Sequence, residues 1–243
     1  FGLEQSNSSN YVNLTGQIDF LTDKTQVHFD PSMLYVLEKG WHFQEDNKIN
    51  IAQKEVTFEN FKVSFEDQDI ALAGKISEDE NEKLVVDIHN LQLDVLNTML
   101  SRQHQGEVNG TLLLSNFYRG IIIESDVRVD SLQLDDFAIG DIRGQSFWDN
   151  QLGRLNVAAD LFRDGSKKIA MAGYIEPKNN QELHAYAYLN DANLNMVEPF
   201  TKDFFSNING KLDGEYEIEG TLKEPLISGT GSLTGGRVTV NYL

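Results

Sequence analysis

The chain has 243 residues, 40% of them apolar and 10% aromatic, which is enough to bury a sizeable surface and carries no signature of disorder. Acidic residues outnumber basic ones by 38 to 20, and the net charge of −18 excludes binding of nucleic acid or anionic headgroups through a basic groove. Cysteine is absent, which removes disulfides and thiolate metal sites, and no apolar run reaches the roughly 18 residues that a membrane-spanning helix needs.

Along the chain, nearly every segment alternates with period two and polar turn residues fall between segments. DPSMLYVL (30–37) has the grammar of a helix start in Asp30 and Pro31, but its neighbours QVHF and GWHF alternate, so it reads as a strand with an edge proline. KINIAQKEVTF (48–58), FKVSF (61–65), DIALAGKI (69–76) and KLVVDIH (83–89) follow as strands. LDVLNTMLSRQ (93–103) instead spaces its apolar residues at three and four, with Asp94 placed as an N-cap, and predicts a short helix. Strands resume at GIIIESDVRV (120–129), RLNVAADLF (154–162), KIAMAGYI (168–175) and LHAYAYL (183–189). A second short helix is predicted over LNMVEPFTKDFF (194–205), with Asn195 as its N-cap and Pro199 near its first turn. DGEYEIEG (213–220) and GRVTVNY (236–242) close the chain as strands. EDQD (66–69), SEDENEK (77–83), RDGSKK (163–168) and EPKNNQE (176–182) read as turns. The fold class is all-β.

The order of these elements repeats. IALAGKI (70–76) returns 99 positions later as IAMAGYI (169–175), and downstream Ile88 matches Leu189, Leu93 matches Leu194 and Leu96 matches Val197. VNGTLLLS (108–115) is answered by INGKLDGE (208–215), with an earlier echo at LTGQIDFL (14–21), so Gly16, Gly110 and Gly210 mark three openings. Repetition at a fixed period predicts stacked units: 1–106, 107–206 and the truncated start of a third at 207–243, in a fragment of a longer chain. Within the repeated strand, Ile70, Leu72, Gly74 and Ile76 face one way and Ala71, Ala73 and Lys75 the other; Ile169, Met171, Gly173 and Ile175 oppose Ala170, Ala172 and Tyr174 in the same manner. The large apolar groups of roughly 20 strands therefore share one sheet face, which something must cover. Either a second sheet does so, giving tandem β-sandwiches with closed cores as in a binding module or surface adhesin, or the sheet curls and holds an apolar ligand.

Signals for catalysis are lacking. His28, His42, His89, His104 and His184 have no metal-ligand spacing, and no G-x-S-x-G elbow occurs. GTGSLTGG (229–236) resembles a nucleotide loop, but RVTVNY after it alternates as a strand instead of opening a helix. EDQD and SEDENE lack calcium-loop spacing, and Trp41 and Trp148 read as packing residues. Neither an enzyme, a cofactor nor a metal is expected.

GKLDGEYEIEGTLKEPLISGTGSL (210–233), LNMVEPF (194–200) and GRVTVNYL (236–243) carry a resemblance. These runs, with 11–82 as the preceding unit, resemble the C-terminal region of the TamB (translocation and assembly module) family and more distantly its AsmA-type relatives; the lack of cysteine and the Asn-rich turns resemble members from Bacteroidetes. The resemblance implies an elongated curled β-sheet, a β-taco or repeating β-groove, with an apolar concave interior and one short helix per repeat. It implies a periplasmic segment of an envelope protein anchored in the inner membrane outside this fragment. The implied partners are phospholipid acyl chains and an Omp85-type outer-membrane barrel, and the implied roles are phospholipid transport to the outer membrane and protein assembly there. On that reading the groove is lined by Ile70, Leu72, Ile76, Val86, Ile88, Leu112, Leu114, Ile121, Ile123 and Val127, then Ile169, Met171, Ile175, Leu183, Leu189, Tyr216, Ile218, Val238 and Val240.

Overall fold

Period-two alternation becomes strand wherever the turns allow it. The structure, a computed structural model, describes residues 2–6, 11–36, 39–79, 81–98, 103–176, 182–201, 205–221 and 224–241. Among the described residues it is all-β and antiparallel, with seventeen strands and almost no helix. The chain divides into two compact units, Phe1–Met99 with Val108–Val127, and Leu100–Glu107 with Arg128–Leu243.

In the first unit, β1 (Gly2–Ser6) and β2 (Tyr11–Phe20) pair, followed by β3 (Thr25–Phe29), β4 (Met33–Val36), β5 (Lys39–Phe43), β6 (Lys48–Ala52), β7 (Glu55–Phe65), β8 (Gln68–Ile76) and β9 (Leu84–Gln92). β3 pairs with residues 16–20 of β2 and β4 with residues 11–13, so the two are pieces of one interrupted strand. β5 and β6 are likewise two pieces along β7. Side chains repair both breaks. The Ser32 hydroxyl accepts from Thr15 N–H (3.0 Å) and donates to Thr15 C=O (3.1 Å). Asn47, with no exposed surface, accepts from Phe29 N–H (2.9 Å) and donates to the carbonyls of Phe29 (2.8 Å) and Gln44 (2.6 Å). Each side chain thus stands in for a missing peptide group of the ladder. The expected strand over 30–37 is present as Met33–Val36, with Pro31 in the break before it.

In the second unit, β12 (Phe137–Asp149), β13 (Arg154–Arg163), β14 (Ser166–Glu176), β15 (Glu182–Asn193), β16 (Phe205–Gly220) and β17 (Pro225–Val240) form an antiparallel meander. β10 (His104–Ser115) and β11 (Ile122–Leu134) each contribute a segment to both units. The turn between β13 and β14 is Asp164–Gly165, both at positive φ (52° and 72°), as a two-residue type I′ hairpin turn requires.

The two predicted helices are corrected. Among the described residues of 93–103, Leu93–Thr98 form a 3₁₀ segment, and Asp94 pairs with Lys39 at 2.7 Å instead of capping; residues 99–102 lie outside the described ones. Residues 194–205 form a 3₁₀ turn at Leu194–Val197 and a four-residue α turn at Glu198–Thr201, with 202–204 outside the described residues. Asn193 holds the cap position without a side-chain cap bond, and Asn195 accepts from Arg163 at 3.2 Å. Spacing at three and four is shared by a 3₁₀ turn and an α-helix, and the described residues of each stretch begin as a 3₁₀ turn.

Bulges interrupt the long strands between Phe58 and Phe61, Leu189 and Ala192, and Ser206 and Asn209. Asn60, Asp191 and Asn207 sit there in the left-handed region, at φ 50°, 49° and 52°. Such residues turn their amide out of the ladder, and a side chain on a neighbouring element takes it: Asp213 accepts from Asp191 N–H (2.7 Å) and Glu198 from Asn207 N–H (2.9 Å). The same clasp joins Asn109 to Asn90 N–H and Asp141 to Ser131 N–H, both at 2.8 Å and both at positive-φ residues.

The repeated strands are equivalent in space as in sequence. Ile70 faces Ile88 and Leu72 faces Val86; Ile169 faces Leu189 and Met171 faces Ala187. In both, the glycine permits close approach of the following strand: a Cβ at Gly74 would meet the Lys83 carbonyl oxygen, and one at Gly173 would meet that of His184 and lie 2.5 Å from Ala185 Cα. Gly173→Ala is therefore expected to destabilise by about 1–3 kcal/mol, with amide hydrogen exchange accelerated first across β14 and β15.

Candidate functional site: an apolar sheet face

Direct cross-strand partners share a face, so the register sorts every side chain. In the first unit one face carries the rows Ile49–Phe58–Gly74–Leu84, Ile51–Val56–Ile76, Phe61–Leu72–Val86 and Val63–Ile70–Ile88. The bulge at Asn60 puts Phe58 and Phe61 on the same side, where strict alternation would oppose them. With Phe29 and Phe43 they form an aromatic patch: Phe29–Phe43 centroids are 5.1 Å apart, Phe43–Phe61 5.8 Å and Phe58–Phe61 5.9 Å. The other face is polar. Lys62 pairs with Asp69 (2.9 Å), Lys75 with Glu55 (3.4 Å), and Gln26, Asn50 and Glu59 form an amide–carboxylate ladder with 2.9 Å steps. Thr111 donates to Asp87 (2.6 Å) on that polar face, which turns Leu112 and Leu114 to the apolar one.

In the second unit the rows run across β12 to β17. Trp148–Leu155–Ile175–Leu183 and Ile142–Leu161–Ile169–Leu189 flank two rows of smaller groups, Ser146–Val157–Gly173–Ala185–Ile218–Ile227 and Gly144–Ala159–Met171–Ala187–Tyr216–Gly229. The Tyr216 ring lies over Gly214, Gly229 and Gly231, where a side chain at any of the three would collide with it. Met196, from the 3₁₀ turn, packs with Ile139 and Leu161 against Ile142 and Ile169, covering one end of the face.

The apolar face of the first unit carries Ile70, Leu72, Ile76, Val86 and Ile88, and that of the second unit carries Ile169, Met171, Ile175, Leu183, Leu189, Tyr216 and Ile218. Among the remaining candidates, Ile121 and Ile123 are about half exposed (54% and 45%) while Ile122 between them is buried, Val127 is partly buried, and Val238 and Val240 are exposed beyond the bulges of β16. The aromatic patch of Phe29, Phe43, Phe58 and Phe61 was not anticipated; Asn60, a residue type tolerant of the left-handed region, was its only local signal.

These side chains are neither sealed nor free. Apart from Pro199, 12 apolar side chains are buried among the described residues, and the face residues of each unit are nearly all partly exposed.

On the polar face of the second unit, Arg154 lies 4.2 Å over the Tyr174 ring, Tyr174 stacks on His184 at 5.1 Å, and His184 approaches Glu219 at 3.6 Å. Bonds from Lys211 and Lys168 hold the Asp191 carboxyl below its ordinary pKa, and a hydrogen bond to Glu217 pushes the Tyr186 phenol above its own. Among the described residues no group of three acidic or histidine side chains converges as a metal set, and no helix is long and apolar enough to cross a membrane. Compared with protein-family models, curated proteins and solved structures, the chain matches none.

Proposed function

We propose that this chain is a segment of an envelope protein that shields lipid acyl chains along a curled apolar sheet face, serving phospholipid transport to the outer membrane or protein assembly there. The observation that carries this reading is the apolar face, built from cross-strand rows on strand after strand in each unit and left partly exposed while the opposite face is polar. Bulges at Asn60, Asp191 and Asn207 support curling, since a bulge bends the strand that carries it. On this reading, which the resemblance of these runs to the TamB family supports, the segment belongs to the periplasm, in a parent chain anchored in the inner membrane and meeting an Omp85-type barrel.

The mechanism needs only the hydrophobic effect. Each methylene sheltered from water contributes about 0.8 kcal/mol, and an acyl chain sliding from one row to the next exchanges one set of apolar contacts for a similar set. Holding without a deep trap permits movement. Purified protein is expected to carry phospholipid detectable by mass spectrometry, and photo-crosslinkers at Leu72 and Met171 are expected to label it. Tandem sandwiches with closed cores would give neither result.

A further inference from the structure

The polar face of the second unit carries a feature that acyl-chain shielding does not use. Tyr186 faces Glu217 and Tyr188 faces Glu215 across β15 and β16, so two tyrosine–glutamate couples stand side by side. Both rings are largely exposed, at 57% and 56%. With Ser228 and Thr230 they line a shallow cleft of about 250 Å³. Nearby basic groups are already engaged: Lys168 and Lys211 bond Asp191, Lys167 pairs with Asp160, and His184 lies against Glu219. Among the described residues no cationic group reaches Glu215 or Glu217, and the acceptor that Glu217 offers is taken only by the Tyr186 phenol.

We infer that this strip binds an extended peptide carrying basic side chains at alternate positions. Charge selects the partner, because two carboxylates with no cationic partner among the described residues sit in a chain of net charge −18. The rings add cation–π attraction for a lysine or arginine laid over them. Spacing selects the conformation. Residues two apart on a strand are about 7 Å apart, and an extended peptide repeats its side chains at that same distance, so cations at i and i+2 meet both couples together. This site lies on the face opposite the proposed lipid surface, and its failure would leave that proposal standing.

The test is calorimetric titration of the full chain with a ten-residue peptide of alternating lysine and threonine, and with one of the same composition whose five lysines are contiguous. Saturable binding that prefers the alternating peptide is expected, weakened about fivefold or more by Y188A and by the E215Q/E217Q pair, and unchanged by D136N, which removes a charge from an exposed turn. Circular dichroism and copurifying lipid should be the same in all variants. No binding at millimolar peptide, equal affinity for the two peptides, or equal weakening by D136N would each overturn the inference.

Discussion

Asn47→Ala is expected to lower the stability of the first unit by about 3–5 kcal/mol, because it removes the three bonds that the side chain makes to the Phe29 N–H and to the carbonyls of Phe29 and Gln44 in a site closed to water. That is a large share of the roughly 5–15 kcal/mol that holds a typical domain together. Loss on this scale reflects position more than residue type. The two broken strands, β3–β4 and β5–β6, lie between β2 and β7, and Asn47 ties the Phe29 end of one break to the Gln44 end of the other. The Asn47 backbone carbonyl, which contacts His28 Nδ1 at 2.7 Å, survives the substitution and does not compensate. Asn47→Asp should be nearly as damaging, since a carboxylate can accept from Phe29 N–H but cannot donate to two carbonyls. Ser32→Ala, which removes the smaller repair, should cost less, about 1–2 kcal/mol. Urea denaturation gives the free energies, and hydrogen exchange at Phe29 reports the local opening. Equal stability of Asn47→Ala and the parent would mean that the breaks need no repair.

What the sequence made legible follows the range of each signal. Alternation is local, so Ile70, Leu72 and Ile76, and Ile169, Met171 and Ile175, could be placed on common faces, and the matched positions of Ile88 and Leu189 do face equivalent residues. A bulge is also local but nearly silent: one left-handed Asn60 brings Phe58 and Phe61 together and builds an aromatic patch that period-two counting separates. The breaks at 30–32 and 44–47 were invisible because their repair depends on partners 17 and 18 residues away, Thr15 for Ser32 and Phe29 for Asn47. Apolar spacing at 93–103 and 194–205 could not distinguish a 3₁₀ turn from an α-helix. The bulge clasps also align Asn109 with Asp213, each accepting from the left-handed residue that follows the repeated strand pair, whereas the glycine echo aligns residues 109 and 209. Backbone geometry sets that correspondence, and the sequence echo alone does not.

Met171→Asp should yield a folded protein that has lost its lipid, while Ala172→Asp, one residue along the same strand, should change neither property. Met171 and Ala172 project to opposite faces of β14, the first among Ala159, Ala187 and the Tyr216 row and the second between Ala158 and Tyr186. In a closed core a carboxylate at 171 would be stranded away from water, and such burial unfolds marginal domains. On a face open to solvent when empty, the charge stays hydrated, and its cost falls on the ligand. An acyl chain crossing that position must then strip water from the carboxylate or forgo the contact of about two methylenes, which at about 0.8 kcal/mol each amounts to roughly tenfold weaker retention. Leu72→Asp should behave alike in the first unit, with Ala71→Asp as its neutral counterpart. Thermal unfolding and lipid content by mass spectrometry, measured on the same preparations, separate the two cases: folded and empty supports an open apolar face, unfolded supports a sealed core, and folded with lipid unchanged means that the bound lipid lies elsewhere.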